Sequence, residues 1–475
     1  MTTTTTTEPA ATAPRSGPAR LILALACACQ FMVILDASIV NVALPSVRRD
    51  LGFTSTGVAW VVNGYLLTFA GFMLLGGRAA DVFGHRRMLV AGLSVFSAAS
   101  LVGGLAGTPE ILVGARITQG VGAAVLAPTT LAVLNTTFTE ERARARAFGA
   151  WSAAGGVGGM AGALTGGALT TGLSWRWVFL INMPIGAVLV AVAMTVLPGI
   201  RAERGTSLDL AGAVTGTAGL AALLYGVMQV TEFGWTSSHV VAPTAAGLVL
   251  LAVFTVVEAR FADQPMLPSR LFGLRGVAVG NLTLLLFGGI TIAMWYFTSL
   301  FLQNVLDHSA LRAGLGQTPA AIAFMLVARQ SAILLPRVGA RLLVLGGSVC
   351  FVIGFGWLSR AGADSGYLAD VLGPTLLIAA GIGLTFPTLM AAATAGVAGG
   401  DAGTAGGLAN TAVQVGGSLG LAALATAAAA RAAHASDAES ANALADGYDL
   451  VFLTAAGLAA AIALVGMLLP RHQRT

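Results

Sequence analysis

Long apolar runs separated by short polar turns constrain this chain more than any other feature of its sequence. Each run is about 18–25 residues long, the length that an α-helix needs to cross the hydrocarbon core of a bilayer. Hydrophobic residues make up 56% of the 475-residue chain and charged residues only 9%, whereas about a quarter of a soluble domain is charged. The sequence therefore predicts an all-α, polytopic integral membrane protein.

The apolar runs group into a first set of six, a pair, and a second set of six. The predicted spans are 20–44, 57–76, 88–106, 110–134, 146–170, 176–198, 207–229, 240–259, 276–303, 313–334, 338–358, 367–393, 402–430 and 448–469. We therefore expect fourteen transmembrane helices, the first of which ends at Pro45. The corresponding regions are a disordered cytoplasmic tail (1–19), an N-terminal six-helix bundle (20–198), a linker with two extra transmembrane helices (199–275), a C-terminal six-helix bundle (276–470) and a cytoplasmic tail (471–475).

The basic residues are all arginines, and their distribution predicts the orientation. With the N-terminus inside, the inner segments hold seventeen of the 25 arginines, the outer segments hold six, and two lie within spans. This excess follows the positive-inside rule, under which cytoplasmic loops carry more Lys and Arg than external loops. It predicts a multi-pass protein of the cytoplasmic membrane with both termini in the cytoplasm. The formal charge of +5 then reflects topology, and no nucleic-acid partner is expected.

A short charged turn lies between the second and third predicted spans. Gly76–Met88 reads GGRAADVFGHRRM, and its charges cannot lie in hydrocarbon, so it marks a water-facing edge. A weaker copy, LLPRVGARLLVLGG, joins two later runs at Leu334–Gly347. One charged turn repeated in two halves of a polytopic protein suggests a duplicated transporter.

Asp36 is the only acidic residue deep in the first predicted helix. An ionised carboxylate there is costly, so it must face a cavity, find a partner or take up a proton. Such a group suits proton coupling, because burial favours its neutral form. The alternative is a permanently paired carboxylate that fixes helix packing. Asn41 is expected to belong to the same polar seam.

Two arginines lie within predicted spans. Arg116 and Gln119 are three residues apart, so both project from one helical face. A buried guanidinium does not readily lose its proton, so Arg116 is expected to tune a carboxylate, or else to form a packing ion pair. Arg329 lies about 12 Å from the cytoplasmic Arg337 at helical rise. It either snorkels to the interface, or faces the central cavity and attracts a substrate anion or balances Asp36.

Aromatic and amide residues lie on the helices predicted to line a cavity. Aromatic walls with a few polar anchors suit a large amphipathic ligand, and aromatic residues are also typical of membrane-interface belts. The candidate residues of a substrate cavity are Asn41, Asn63, Tyr65, Gln119, Trp151, Trp295, Tyr296, Arg329, Asn410 and Gln414.

The fifth run is the most glycine-dense, reading GGVGGMAGALTGGAL over Gly155–Leu169. Glycines four residues apart allow close helix contact, and dense glycine also makes a helix easy to bend. We therefore expect either simple packing or a hinge at a moving interface. The candidate hinge residues are Gly158, Gly162, Gly166 and Gly167.

No catalytic or metal-binding arrangement is predicted. The five histidines fall in loops or tails without metal-ligand spacing. The GGVGG stretch lies inside an apolar run with no lysine after it, so a phosphate-binding loop is not expected. The sequence therefore predicts neither an enzyme nor a cofactor.

Several of these stretches resemble the major facilitator superfamily, in particular its branch of fourteen-helix drug–proton antiporters. Gly77–Arg87 resembles the family's charged loop between helices two and three, with Val82 where an arginine is often found. LDASIVNVALP at Leu35–Pro45 is similar to the first-helix motif, and Arg116–Gly120 to the fourth-helix motif. Two further segments typical of the branch are SWRWVFLINMPIG at Ser174–Gly186 and GLANTAVQVGGSLG at Gly407–Gly420.

The resemblance implies two six-helix bundles that rock about a central cavity, with Asp36 as the proton carrier and Arg116 as its partner. Ala163 replaces the proline of the family's fifth-helix antiporter motif. The resemblance also implies a conformational latch in the charged loop. Its residues in this chain are Gly77, Asp81, Gly84, Arg86 and Arg87.

The expected function is proton-driven export of a small amphipathic drug, antibiotic or secondary metabolite across the cytoplasmic membrane. The expected partners are the small-molecule substrate, protons and the lipid bilayer, and the expected state is a monomer. Two alternatives are an uptake symporter or uniporter of the same fold, and a non-transporting membrane sensor.

Overall fold

The computed structural model describes residues 16–54, 57–197, 210–260, 269–397, 402–432 and 440–470. Its regular structure within these ranges is helical. The predicted C-terminal tail, most of the predicted N-terminal tail and the predicted domain boundary at 198–199 lie outside them. Residues 16–19 of the predicted N-terminal tail belong to the first helix, which therefore begins earlier than predicted.

The described residues form fourteen long helices in the predicted order. Their bounds are α1 Ser16–Leu51, α2 Trp60–Phe83, α3 His85–Gly104, α4 Pro109–Thr137, α5 Glu141–Gly172, α6 Trp177–Val196, α7 Leu210–Met228, α8 Ser238–Arg260, α9 Arg275–Asn304, α10 Ala310–Val338, α11 Ala340–Leu358, α12 Tyr367–Thr394, α13 Ala402–Ala432 and α14 Ala441–Gly466. Twelve are long and apolar enough to cross a membrane, by length and composition. The other two, α2 and α5, are 24 and 32 residues long. The predicted all-α polytopic membrane fold is confirmed.

Three of the long helices are irregular. α6 is interrupted at Ile181, α9 contains a π-helical stretch at Ala293–Phe297, and α12 begins with one at Tyr367–Leu372. A π-helical turn inside an α-helix widens it locally and is frequent at functional sites. Short helical turns in the connections are Gly57–Ala59, Val230–Phe233 and Ser269–Leu271.

The prediction that the first helix ends at Pro45 is wrong. α1 continues to Leu51 with Pro45 inside it. A proline removes one backbone donor, and membrane helices tolerate it where their neighbours pack around it. Leu44 and Val47, on either side of Pro45, are buried, so packing stabilises the additional turns.

Asp50 ties the end of α1 to the connection before α6. Its Oδ2 accepts hydrogen bonds from Trp175 Nε1 at 2.8 Å and from Arg176 Nη2 at 3.3 Å. The Arg176 guanidinium carbon lies 4.4 Å from the centroid of a Trp175 ring, and Arg176 also donates to the carbonyl of Ala106. These contacts hold three connections together at one end of the N-terminal helices.

The two charged turns are shorter than predicted. α2 ends at Phe83 and α3 begins at His85, so only Gly84 separates them. Gly339 separates α10 and α11 in the same way. Their φ angles, 92° and 79°, lie in the region that favours glycine. The charged residues therefore lie on helix ends, and the repeated turn is a matched pair of single-glycine breaks.

The last helix begins earlier than predicted. α14 starts at Ala441 rather than at residue 448, so Asp446 also lies within it. The Ser440 hydroxyl accepts a hydrogen bond from the Ala443 amide at 3.3 Å, which caps the helix there. Residues 433–439 lie outside the described ranges.

The helices pack as two groups, with α7 against both. In the first group α1 packs on α5 and α2 on α4, and in the second α9 packs on α13 and α11 on α12. α7 lies against α2 and α13, where Ala70, Leu224 and Val415 share one buried cluster. α8 packs mainly on α7, and its Leu248 and Val249 are exposed, as expected for a lipid-facing helix.

Candidate functional site

Asp36 lies fully buried in α1 and accepts three hydrogen bonds from other helices. Its Oδ2 is 2.6 Å from Arg116 Nη1, and the two side chains form a buried ion pair. Its Oδ1 accepts from Gln119 Nε2 and from Asn182 Nδ2, both at 2.7 Å. The structure thus brings together the predicted residues Asp36, Arg116 and Gln119.

Arg116 is also surrounded by partners. Its Nε donates to the Val61 carbonyl at 2.9 Å, and its Nη1 donates to Gln119 Oε1 at 2.7 Å. The guanidinium carbon lies 4.2 Å from the centroid of the Tyr65 ring, a distance at which a cation is attracted to the ring face. Only 1% of Arg116 is exposed, so its charge is compensated within the protein.

Close packing of α2 on α4 positions Arg116 and Gln119. Gly120 has no side chain at the point where α4 meets the backbone of α2 at Tyr65. Beside it, the Thr68 hydroxyl donates to the Ile117 carbonyl at 2.8 Å. A small residue at such a contact lets two backbones approach closely. The glycine in the fourth-helix motif is therefore a packing requirement of the buried ion pair.

Asn182 and Ser100 complete the cluster, and sequence reasoning assigned no role to either. Ser100 Oγ accepts from Gln119 Nε2 at 2.6 Å and from Asn182 Nδ2 at 3.2 Å. Asn182 follows the interruption of α6 at Ile181, and its Oδ1 has no hydrogen-bond partner. The available signal was an amide two residues before a proline, Pro184, within an apolar run, but nothing in the sequence connects it to α1.

The described contacts around the Asp36 carboxylate are all hydrogen-bond donors. Three donors face the carboxylate, and one of them carries a full charge, so hydrogen bonds and charge both stabilise the anion. Protonating Asp36 without other change would leave Arg116 as a buried, uncompensated cation, which is costly. Proton uptake therefore requires Arg116 or its surroundings to rearrange. This link between protonation and local structure is what a coupling site requires.

Three of the four aromatic residues predicted to line a cavity are buried within the bundles in this conformation. Tyr65 packs against Arg116 and is 1% exposed. Trp151 donates from Nε1 to Thr130 Oγ1 at 3.2 Å and belongs to a small buried cluster at one end of α5. Tyr296 is buried in the π-helical stretch of α9, with its ring 4.9 Å from that of Phe297.

The remaining predicted cavity residues are spread over several environments. Asn41 is half-buried and its Oδ1 has no hydrogen-bond partner, while the described donors to Asp36 are Arg116, Gln119 and Asn182. Asn63 lines a cleft of about 240 Å³ at the start of α2, together with Trp60 and Glu232. The others are Trp295, Asn410 and Gln414, which are half-buried, and Arg329, which is exposed.

The predicted latch residues surround the break at Gly84. Arg86 donates to the Met194 carbonyl of α6 at 2.5 Å, which ties the start of α3 to the end of α6. A Cβ on Gly77 would lie 3.3 Å from Pro128 of α4. Arg87 is exposed. The side chain of Asp81 lies outside the described part of the structure.

The glycines of α5 form close contacts, and the helix runs without interruption. A Cβ on Gly158 would lie 2.7 Å from the Phe31 carbonyl oxygen, and Gly162 and Gly166 meet the α1 backbone in the same way. The Ser38 hydroxyl donates to the Gly159 carbonyl at 2.7 Å in this interface. Gly167 differs, because it meets the backbone of α10. The described geometry therefore shows these glycines as contact points.

Comparison with known proteins agrees with this architecture. Residues 26–421 match the model of the Major Facilitator Superfamily. The chain therefore belongs to the Major Facilitator Superfamily. It is 46% identical over 413 residues to the cephamycin export protein CmcT of Amycolatopsis lactamdurans, covering 86% of this chain and 85% of that protein. It is 40% identical over 409 residues to the puromycin resistance protein pur8 of Streptomyces alboniger, covering 84% and 79% respectively.

Solved structures of the superfamily share the fold. The human organic anion transporter MFSD10 superposes with a TM-score of 0.65 at 16% sequence identity, over 95% of this chain and all of that chain (100%). At this identity the likeness concerns the fold alone. Both curated relatives are named for export of, or resistance to, antibiotics, as expected for the drug-exporting branch of the superfamily.

Proposed function

We propose that this protein exports small amphipathic compounds, of the kind represented by antibiotics, in exchange for protons. The relatives named for cephamycin export and puromycin resistance support export as the direction and antibiotic-like compounds as the substrate class. The two-bundle fold supports alternating access, in which the bundles rock about a central site. The proposal includes a location in the cytoplasmic membrane with both termini in the cytoplasm.

The buried Asp36 cluster is the observation that most strongly supports proton coupling. A fully buried carboxylate, paired to a guanidinium through a 2.6 Å contact, has two distinct charge states that need two arrangements of Arg116. Protonation from outside would release Arg116 and reset the carrier. Deprotonation toward the cytoplasm would restore the ion pair and permit substrate loading. Asp36 is thus the proton carrier, and Arg116 the partner that couples its charge to structure.

The alternative is an uptake symporter or a uniporter with the same fold. Ala163 replaces the antiporter-motif proline and packs beside Gly314 of α10 at the contact between the two bundles. An alanine at that position still allows a close, unbroken helix contact. The substitution therefore leaves a tight interface in place, and the direction of transport has to be measured.

The test uses purified protein in liposomes under an imposed pH gradient, with a dye that reports internal pH. The compounds are a cephamycin-type β-lactam and puromycin. Asp36→Asn removes the titrating group, and Asp50→Asn is the matched control, because Asp50 is a half-exposed carboxylate on the same helix. We expect substrate-evoked proton flux in the wild type and in Asp50→Asn, and none in Asp36→Asn.

The other outcomes separate the alternatives. Substrate flux without proton movement in the wild type would identify a uniporter, and co-directional substrate and proton flux would identify a symporter. Proton flux that survives in Asp36→Asn would exclude Asp36 as the carrier. An absence of flux with both compounds would contradict export of this substrate class.

A further inference from the structure

The contact between α5 and α10 is closed along only part of its length. Toward the end of α5 at Gly172 the backbones touch: a Cβ on Gly167 would lie 2.6 Å from Leu311 Cα. The Leu311 amide also donates to Thr171 Oγ1 at 3.3 Å. At Gly156 only side chains meet, since a Cβ there would lie 3.4 Å from the Phe324 ring. The two helices therefore diverge from Gly167 toward Gly156.

Beyond Gly156 the facing surfaces are exposed. The helices run antiparallel, so positions one turn before Gly156 on α5 lie opposite positions one turn after Met325 on α10. On α5 these positions are Ser152 and Ala153, and on α10 the position is Arg329; all three are exposed. One turn further, a Cβ on Gly149 would meet nothing within 4 Å. A gap thus opens between the helices toward the end of the protein at which α5 begins and α10 ends.

Arg329 lies near the narrow end of this gap. It is nine residues before the end of α10 at Val338, or about 13 Å at helical rise. Within the described part of the chain it has no hydrogen-bond or ion-pair acceptor, whereas Arg116 is fully paired. A planar guanidinium that has no protein acceptor can bind a carboxylate or a similar anion through two parallel hydrogen bonds.

The opposite contact between the bundles does not offer an equivalent gap. There α7 packs across α2 and α13, and Leu224 and Met228 of α7 share a buried cluster with Ala70 and Val415. Among the described residues, α7 therefore covers this side. The α5–α10 gap is open to the side, and exposed apolar residues of α10, Ile322, Leu326 and Ile333, lie next to Arg329 on the same surface.

We propose that Arg329 is the anion-binding group of a substrate subsite in the α5–α10 gap, and that the substrate class is an amphiphile with a carboxylate or similar anionic head. The inference rests on the proposed export function. The guanidinium pairs with the head through two parallel hydrogen bonds, while the apolar body lies against the exposed face of α10. The pairing offsets part of the cost of desolvating the anion when the apolar body binds.

The test compares two compounds that differ by one methyl group, which removes the negative charge. The carboxylate form of a cephamycin-type β-lactam and its methyl ester are assayed with wild-type protein in liposomes and by calorimetric titration of purified protein. The variants are Arg329→Gln, which removes the charge, and Arg329→Lys, which keeps it. Arg337→Gln is the matched control, because Arg337 is an exposed arginine of the same helix about two turns further from the narrow end of the gap.

We expect Arg329→Gln to raise KM and Kd for the carboxylate by about tenfold or more, with kcat unchanged, because a charge-assisted hydrogen bond is lost. The ester should change less than about twofold, within ordinary surface effects. Arg329→Lys should recover most of the carboxylate affinity, and Arg337→Gln should behave as wild type.

Other results would overturn the subsite. If the carboxylate and the ester respond equally to Arg329→Gln, or if that variant only removes stabilisation by added phosphatidylglycerol, Arg329 is a lipid-headgroup anchor. Failure of the proposed function looks different: the wild type would then show no proton-linked flux of either compound. The calorimetric comparison still decides the subsite in that case, because it requires no transport.

Discussion

Gly167→Ala adds one methyl group to the α5–α10 contact. It should shift the protein away from the conformation in which the two helices touch at Gly167. A Cβ on Gly167 would lie 2.6 Å from Leu311 Cα and 2.7 Å from the Ala310 carbonyl oxygen. Non-bonded carbon atoms prefer about 3.5–4.0 Å, so the two helices must separate by about 1 Å. Both neighbouring atoms belong to the backbone, so no side-chain rotation relieves the clash.

The size of the effect depends on which conformations contain the clash. Overpacking costs about 1–3 kcal/mol, and the cost applies only to the state in which α5 and α10 touch at Gly167. The gain in helix propensity from glycine to alanine, about 1 kcal/mol, applies to both states and cancels. Gly167→Ala should therefore shift the equilibrium away from the observed conformation by about 5–150-fold.

Pulsed electron–electron resonance can measure this shift. Nitroxide labels at Leu173 and Arg312, both exposed, report the distance between the corresponding ends of α5 and α10 in a background without the three native cysteines. Gly167→Ala should populate longer distances. Gly149→Ala is the control, because it lies on the same face of α5 about five turns away, where a Cβ meets nothing within 4 Å.

Two results would refute the reasoning. An unchanged distance distribution in Gly167→Ala would mean that the helices already have room, or that the contact is not specific to one state. An equal shift in Gly149→Ala would mean that helix propensity, rather than the clash, moves the equilibrium.

Three further predictions concern stability, measured by thermal unfolding of the purified protein in detergent. Asn182→Ala should cost about 1.5–3 kcal/mol, the value of a hydrogen bond to a charged group, and most of the cost should disappear in an Asp36→Asn background. Trp175→Phe should cost about 0.5–1.5 kcal/mol, because it removes the 2.8 Å hydrogen bond to Asp50 while keeping an aromatic ring. Gly84→Ala should cost about 1–3 kcal/mol, because its φ of 92° is unfavourable for a residue with a Cβ.

Much of the fold was predictable because membrane helices follow a length rule that a sequence displays directly. The number and order of the helices agree with the fourteen apolar runs, and both charged turns are glycine breaks between helices. The helix ends were less predictable, as Pro45 shows. A proline would normally end a soluble helix, whereas here buried neighbours on both sides keep α1 helical to Leu51.

The candidate site was predictable to the extent that it is charged. Asp36 and Arg116 are conspicuous because each interrupts an apolar run, and Gln119 follows from its spacing to Arg116. Asn182 was not found, because small amides are common in membrane helices. Its contact with Asp36 joins positions 146 residues apart, which only the packing of α1 against α6 brings together.

Buried aromatic residues also show what the sequence could not predict. Trp151 and Tyr296 are residue types that are typical of a cavity wall, yet each is enclosed within a bundle. Their sequence neighbours are apolar on every side, so periodicity does not distinguish a face toward a cavity from one toward another helix. For Arg329, the charge was evident from the sequence, but its position beside an open gap was not.

The positions of Asp36 and of the bundle contact suggest how protonation can act on conformation. Every described hydrogen-bond partner of the Asp36 carboxylate belongs to α4 or α6, so its charge has no described direct contact with the C-terminal bundle. The α1 backbone, however, fits against α5 at Gly158, Gly162 and Gly166. Any shift of α1 that follows release of Arg116 must therefore move α5 with it. Since α5 carries Gly167 at the two-state contact with α10, we infer that α1 and α5 transmit the change, and that Gly167→Ala should alter proton-linked flux without touching the carboxylate.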